Sequence, residues 1–264
     1  MKFREYQTTI IEKAKGVLEA HRFVYLSMEV RTGKTLTALG VADKLGITNL
    51  LFVTKKKAIG SIEADYKKLM PGYQITVINY ESLHKVTGKF DLLVLDEAHT
   101  LGAYPKPSKR TNLVKEIILR QNPFVILMSG TPTPESFSQI YHQVYACPKN
   151  PFNQYKSFYK FAKEYVNVVQ KVINSFHINN YDDGKPVILD RMKPYMISYT
   201  QKEAGFKSEI KEHVLKVEMS KLTYNFVKEM REHGVITGKK TKEVILGDTG
   251  VKKMSRYTSF SLVL

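Results

Sequence analysis

Short apolar runs alternate with amphipathic segments along the first half of the chain. The apolar runs are typical of strands that are buried on both faces, and they cover residues 23–26, 50–53, 75–78, 92–95 and 124–128. Apolar positions at helical spacing predict helices over residues 4–21, 36–45, 59–69 and 111–121. Strands that alternate with helices in this way form a mostly parallel central sheet flanked by helices. The sequence therefore predicts an α/β fold for this half.

Beyond residue 134 the pattern changes to aromatic residues at helical spacing among lysines, over residues 135–166. These rings could stack on nucleic-acid bases, but the spacing favours helices that pack an aromatic face on the sheet. Residues 214–219 alternate like a strand, and residues 220–232 predict a helix with Ser220 as its N-cap. We expect two domains, residues 1–150 and a mainly helical C-terminal extension over residues 151–264.

Residues 27–35, Ser-Met-Glu-Val-Arg-Thr-Gly-Lys-Thr, join the first strand to the next helix. A helix N-terminus presents unpaired backbone N–H groups and the positive end of the helix dipole, which suits a phosphate. Gly33 would let the backbone approach closely, Lys34 would supply a cation and Thr35 a hydroxyl for Mg²⁺. Met28 stands where this motif has its first glycine, so an ordinary surface turn remains an alternative for this stretch taken alone.

An acidic pair, Asp96 and Glu97, directly follows the fourth strand. Because the carboxyl ends of parallel strands meet at one edge of a sheet, we expect this pair near Lys34. Asp96 could hold a Mg²⁺ ion that Thr35 also contacts, and Glu97 could deprotonate a water that attacks the γ-phosphate. His99 could sense that phosphate or link to the next strand. An isolated Asp-Glu pair could instead be a solvated turn, but the shared edge argues against that alternative.

The charge balance points to a class of partner. The chain has 41 Lys and Arg against 25 Asp and Glu, a net charge of +16. Such a surface favours nucleic acid, because each neutralised phosphate releases counterions; a basic protein without that partner is the alternative. The single cysteine, Cys147, excludes an internal disulfide and a zinc site built on several cysteines. No apolar run approaches the roughly 20 residues of a membrane span, so we expect a cytoplasmic or nucleoid-associated protein without membrane contact.

Taken in order, these motifs resemble the first RecA-like motor lobe of superfamily-two helicases, most closely the Swi/Snf-type translocases of double-stranded DNA. Residues 1–134 carry nearly all of the resemblance. The matching segments are Arg4-Glu5-Tyr6-Gln7, residues 29–35, Thr54-Lys55, Tyr80-Glu81-Ser82, Asp96-Glu97-Ala98-His99 and Ser129-Gly130-Thr131-Pro132. A further stretch, residues 195–203, is similar to an Arg-Arg-Thr-Lys-like segment of the family but lacks the arginines.

The resemblance implies a role for each segment. Arg4, Gln7 and Thr32 would bind the nucleotide together with Gly33, Lys34 and Thr35, and Gln7 would read its adenine. The implied nucleic-acid contacts are Thr54, Lys55, Tyr80, Glu81 and Ser82. His99, Ser129 and Thr131 would couple hydrolysis to movement.

The resemblance also implies ATP and Mg²⁺ as cofactors and duplex DNA as the favoured partner. Enzymes of this kind hydrolyse ATP between two lobes, and arginines of the second lobe stabilise the transition state. No second-lobe motif follows residue 250, so we expect a first lobe that a second RecA-like lobe completes in cis or in trans. A non-catalytic nucleic-acid-binding protein with the motor fold is the alternative. Residues 129–132 and the basic charge disfavour a P-loop phosphotransferase for small substrates.

Overall fold

The strands of the chain form one large sheet and two separate pairs. In the computed structural model, which describes residues 3–173, 176–206, 220–233, 235–237 and 244–246, the strands are β1 (Phe23–Met28), β2 (Asn49–Thr54), β3 (Gln74–Asn79), β4 (Leu92–Asp96), β5 (Phe124–Met128), β6 (Val169–Ile173), β7 (Phe176–Asn180), β8 (Met196–Tyr199), β9 (Val235–Thr237) and β10 (Val244–Leu246). The large sheet has the order β3-β2-β4-β5-β1-β8, and every pairing in it is parallel.

Helices occupy the connections between the strands, as the sequence predicts. They are α1 (Glu5–His21), α2 (Lys34–Leu45), α3 (Ile59–Leu69), α4 (Lys109–Gln121), α5 (Ile140–Val144), α6 (Phe158–Tyr165), α7 (Val187–Met192) and α8 (Lys221–His233). The predicted strands and helices of residues 4–128 are all present, with bounds shifted by a few residues.

The side chains of the large sheet alternate between two buried clusters, because successive residues of a strand point to opposite faces. In β1, Val24 and Leu26 join a cluster that includes residues of α1 and α2, whereas Phe23 and Tyr25 join one that includes α4 and α6. The core of β1 is fully buried from Phe23 to Leu26. A sheet covered on both faces explains why its strands have continuous apolar runs.

Most aromatic residues of 135–166 belong to the cluster that covers one face of the sheet, whereas Tyr159 is 48% exposed. Tyr141, Phe161 and Tyr165 are at most 2% exposed, and their rings contact one another in series, with centroids 4.8 Å apart for Tyr141 and Phe161 and 5.1 Å for Phe161 and Tyr165. Rings buried in this way cannot stack on bases, so the packing interpretation is confirmed.

The chain divides into two compact units, the first with residues 1–169 and 180–207 and the second with residues 170–179 and 208–264. The second unit contains the predicted helix, α8, and Ser220 Oγ accepts a hydrogen bond from Thr223 N at 3.2 Å, as an N-cap does. The strand predicted over residues 214–219 lies outside the described residues. The antiparallel pair β9–β10 and the pair β6–β7 were not predicted. Within the described residues, every helix is too short or too polar to cross a bilayer.

Candidate nucleotide and nucleic-acid site

The phosphate loop begins later than the sequence motif suggests. β1 extends to Met28, whose side chain is fully buried, so the position of the missing glycine belongs to the strand. The left-handed backbone that the turn requires lies at Arg31, with φ 64°, and at Gly33, with φ 79°. A Cβ at Gly33 would lie 2.5 Å from Gln7 Nε2, so only glycine fits there. No side chain caps α2, which leaves its first N–H groups open to an anion.

Lys34 points back over this loop. Its Nζ donates to the carbonyl oxygen of Glu29 at 3.2 Å. Burial lowers the pKa of Lys34, while the carboxylates of Asp96 and Glu97 act in the opposite direction. Lys34 therefore lies close enough to the acidic pair for their charges to interact, at the shared edge that the strand-end argument predicts.

Asp96 ends β4 and is fixed by two donors. Thr54 Oγ1 donates to Asp96 Oδ2 at 2.7 Å, and Tyr80 Oη donates to the Asp96 carbonyl oxygen at 2.7 Å. Burial raises the pKa of Asp96, and the bond from Thr54 opposes that rise. Thr54 is fully buried and Tyr80 is 2% exposed. Both side chains therefore support Asp96, and the nucleic-acid contact that the resemblance implies for Thr54 and Tyr80 stays a prediction.

The donor set fits Mg²⁺ better than a metal that is held by protein groups alone. The described residues contain no group of three or more His, Cys, Asp or Glu side chains that could hold a metal ion. Thr35, in the first turn of α2, and Asp96 offer a hydroxyl and a carboxylate. Mg²⁺ commonly takes one or two protein oxygens and completes its shell with phosphate oxygens and waters.

Glu97 connects the two sides of the site. It adopts a left-handed backbone with φ 52°, which turns the chain sharply after β4. One carboxylate oxygen lies 3.4 Å from Lys55 Nζ, and the other lies 3.4 Å from His99 Nδ1. The same nitrogen of His99 lies 2.9 Å from Ser129 Oγ, which joins the segments that follow β4 and β5. The link from His99 to the next strand is therefore present.

The segment after β5 is held from within the core. Ser129 Oγ accepts a hydrogen bond from Thr131 N at 3.1 Å. Gln143 of α5 donates to the Pro132 carbonyl oxygen at 2.8 Å, and its own amide oxygen accepts from Tyr25 Oη at 2.7 Å. The sequence did not single out Tyr25 or Gln143, since a tyrosine in a strand and a glutamine in a helix carry no motif of their own.

The exposed side of the site combines opposite charges. The side chains of Lys55 and Glu81 are 59% and 63% exposed, and Ser82 is partly exposed. Glu81 pairs with Arg110 of α4 at 2.6 Å, and the Arg110 guanidinium lies 4.8 Å above the ring centroid of Tyr80. Arg110 is therefore a cation of this surface that the motifs missed. Its only sequence signal is the cation-rich segment of residues 102–110.

Helix α1 contacts the phosphate loop from one side. Tyr6 Oη donates to the Thr32 carbonyl oxygen at 3.0 Å, and Gln7 Nε2 donates to the Gly33 carbonyl oxygen at 3.4 Å. Gln7 is only 4% exposed, and its amide oxygen accepts from Arg4 N at 3.0 Å, whereas the Arg4 side chain is exposed. Gln7 therefore supports the loop in this structure, and reading of adenine by Gln7 stays a prediction.

Comparison with known proteins places the chain in a family. A family model described as the SNF2-related domain matches residues 22–263. The RNA polymerase-associated protein RapA of Vibrio cholerae is 31% identical over 88 residues, which are 33% of this chain and 9% of RapA. The protein named Putative helicase 109L of Invertebrate iridescent virus 3 is 26% identical over 156 residues, covering 49% of this chain and 45% of that protein. The chain thus matches less than half of the length of these relatives.

Solved structures agree on the fold. The Sulfolobus solfataricus SWI2/SNF2 ATPase core in complex with dsDNA superposes with a TM-score of 0.60 at 15% identity, covering 91% of this chain and 55% of that one. The ATPase core domain from the same organism gives a TM-score of 0.55 at 15% identity, over 76% and 44% of the two chains. The predicted RecA-like α/β fold and the resemblance to Swi/Snf-type helicases are confirmed. Because the family model matches nearly the whole chain, the protein belongs to the SNF2-related domain family.

Proposed function

We propose that this chain is the ATP-binding and nucleic-acid-gripping first lobe of an ATP-dependent DNA translocase or helicase. One observation carries the proposal. Lys34 follows β1, and Asp96 and Glu97 lie at the end of β4, so all three stand at the carboxyl edge of the parallel sheet, where Glu97 also lies 3.4 Å from the exposed ammonium of Lys55. A lysine at a phosphate loop, a half-buried carboxylate for Mg²⁺ and a second carboxylate for the attacking water are parts that such a motor needs.

Each residue of the site would have a separate role in ATP binding and hydrolysis. The open N-terminus of α2 and Lys34 would bind the phosphates of ATP, and Thr35 and Asp96 would hold Mg²⁺. When bound, that ion supplies charge neutralisation across the phosphate oxygens. Glu97 would accept a proton from the attacking water.

The placement of Glu97 supports a link between nucleic-acid binding and hydrolysis. Its carboxylate is shared between Lys55 on the exposed side and His99 on the inner side. A nucleic-acid phosphate that draws the Lys55 ammonium away would free Glu97 to receive the proton of a water. Ser129, through its contact with His99, would transmit the change to the segment after β5.

Duplex DNA is the partner that we propose, because the similar Sulfolobus solfataricus core was solved in complex with dsDNA and the chain has a net charge of +16. Efficient hydrolysis would need a second RecA-like lobe, in cis or in trans, that supplies arginines to the transition state.

Two substitutions test the proposal. Lys34→Ala should weaken the binding of a fluorescent ATP analogue by about a hundredfold, because a cation is lost from a partly desolvated phosphate site. Glu97→Gln should keep that affinity and abolish hydrolysis in the motor completed by its second lobe, because an amide cannot accept the proton. Lys44→Ala, at the opposite end of α2, is the matched control. Normal ATP binding by Lys34→Ala would falsify the assignment of the phosphate loop.

A further inference from the structure

The turn after β8 is a second support of the phosphate loop, besides α1. The Tyr199 carbonyl oxygen accepts a hydrogen bond from Glu29 N at 3.0 Å. Gln201 N donates to Glu29 Oε2 at 2.8 Å, and Gln201 Nε2 donates to the Val30 carbonyl oxygen at 3.0 Å. We call residues 199–203 the loop brace. The segment belongs to residues 195–203, the stretch that is similar to an arginine-bearing segment of the family but lacks the arginines.

Glu29 is the residue through which the brace acts on the rest of the loop. Its carbonyl oxygen accepts hydrogen bonds from Lys34 Nζ at 3.2 Å and from Thr32 Oγ1 at 2.7 Å. A shift of Glu29 would therefore move the lysine ammonium that the phosphates require. Gln201 touches both the side chain of Glu29 and the next peptide group, so it fixes the position and the direction of this turn.

The loop needs this external support because one of its two left-handed positions, residue 31, is not a glycine. Arg31 has φ 64°, a conformation that a residue with a Cβ rarely adopts unless its surroundings impose it. Gly33 is the other left-handed residue of the turn and pays no such penalty. The residues on both sides of Arg31 are held by hydrogen bonds, Val30 by Gln201 and Thr32 by Tyr6. These bonds stabilise a backbone conformation that an arginine rarely adopts.

The loop brace is itself well ordered by local contacts. Thr200 N and Oγ1 both donate to Glu203 Oε2, each at 2.7 Å. The Tyr199 ring stacks on Tyr6 with centroids 4.6 Å apart and an interplanar angle of 16°. Tyr6 in turn bonds the Thr32 carbonyl oxygen, so the two supports of the loop are joined to each other.

We propose that Gln201 and Glu29 are positioning residues that set the phosphate loop in its nucleotide-binding conformation. The proposal rests on the proposed function, since it assumes that the loop binds the phosphates of ATP. In this chain, hydrogen bonds from the loop brace would stabilise the left-handed backbone that a glycine would otherwise allow. Neither residue needs to touch the nucleotide for this role.

The test compares four variants of the full chain by affinity for a fluorescent ATP analogue and by hydrogen exchange of the amides of residues 29–34. Gln201→Ala and Glu29→Ala should each weaken binding by about five- to tenfold, as expected for the loss of one or two hydrogen bonds. Glu29→Gln should restore most of the affinity, because its amide oxygen can accept from Gln201 N. Lys202→Gln is the matched control, since Lys202 lies in the same turn and makes no side-chain contact with the loop among the described residues.

The two alanine variants should also exchange the loop amides faster in the free protein, while the midpoint of thermal unfolding stays close to that of the wild type. Glu29→Ala and Glu29→Gln remove the same negative charge, and only Glu29→Gln keeps an acceptor for Gln201 N, so weaker binding by the alanine variant alone identifies lost positioning. Unchanged affinity and exchange in Gln201→Ala, beside a wild type that binds ATP, would overturn the brace alone. A wild type that binds no nucleotide, and is unchanged by Lys34→Ala, would overturn the proposed function and the positioning role with it.

Discussion

At the scale of single residues, His99 shows how closely the groups of the site are coupled. Its Nδ1 faces Ser129 Oγ and one oxygen of Glu97. Burial lowers the pKa of His99 below its ordinary value of 6.5, and the ammonium of Lys55 acts in the same direction, whereas the carboxylates of Glu97 and Asp96 oppose it. The lowered pKa favours the neutral ring, whose Nδ1 is a donor or an acceptor toward Ser129 according to the tautomer.

The pKa of His99 should shift in opposite directions in two variants. Glu97→Gln should lower the pKa of His99 further, because it removes a carboxylate that favours the charged ring; Lys55→Met should raise it. Proton NMR of the ring, assigned with His99→Gln, measures both midpoints. An upward shift in Glu97→Gln would contradict the contact.

The same shift has a consequence for stability. A histidine whose pKa is lower in the folded chain takes up its proton more readily when unfolded. Its contribution therefore decreases as the pH falls through the ordinary value of 6.5 towards the folded value, and it is constant well above 6.5.

For the site residues, the sequence predicted which of them lie at the same edge of the sheet better than which groups their side chains contact. Lys34 and Asp96 could be placed together because strand ends of a parallel sheet share an edge. Thr54 and Tyr80 were assigned to nucleic acid, although both face Asp96. Which way a residue at the end of a strand points depends on the register and on the next turn, and a motif does not contain that information.

At the scale of elements, a bond from Thr54 to Asp96 joins the ends of β2 and β4. Thr54→Val preserves the volume of this buried side chain but leaves the carboxylate without its donor. We expect the Mg²⁺ concentration that half-saturates ATP binding to rise about tenfold, as for the loss of groups that orient metal ligands. Titration of Mg²⁺ at fixed ATP analogue measures the effect.

Thr54→Ser is the control for this element, since it keeps the hydroxyl and loses only a methyl group. Equal Mg²⁺ dependence in Thr54→Val and the wild type would show that the bond has no part in holding the ion. A rise in both variants would point to packing of the buried side chain instead of the hydrogen bond.

The elements that the sequence missed are those with weak periodicity. β8 has four residues, most of them partly exposed, and its neighbour in the sheet is far away in the chain. β6 and β7 have five residues each, and polar residues interrupt their apolar positions without a regular alternation. The strands β1, β2, β4 and β5 were predicted because burial on both faces makes their apolar runs continuous.

At the scale of the whole molecule, the basic charge makes binding to DNA dependent on salt. Lys55 and Arg110 are the exposed and half-exposed cations beside Glu97 and Glu81. If each contacts one phosphate, Lys55→Ala and Arg110→Ala should each reduce the slope of log affinity against log salt by about 1. Fluorescence anisotropy of labelled duplex DNA over a range of salt concentrations measures the slope.

Lys44→Ala is the matched control for charge, because α2 carries Lys44 away from the carboxyl edge of the sheet and pairs it with Glu12. It removes the same charge from the molecule at a place remote from the proposed contacts. A slope lowered equally by Lys44→Ala would mean that the whole basic surface binds, without a defined grip at Lys55 and Arg110.

The pairing of β8 with β1 has a consequence for how the molecule forms. Tyr25 pairs with Met196, about 170 residues later, and these neighbours must meet before the loop brace can contact Glu29. Closing such a long segment of chain is slow and entropically costly. Since β1 precedes β8 by that distance in the chain, we expect the phosphate loop to reach its final conformation only after β8 has paired with β1.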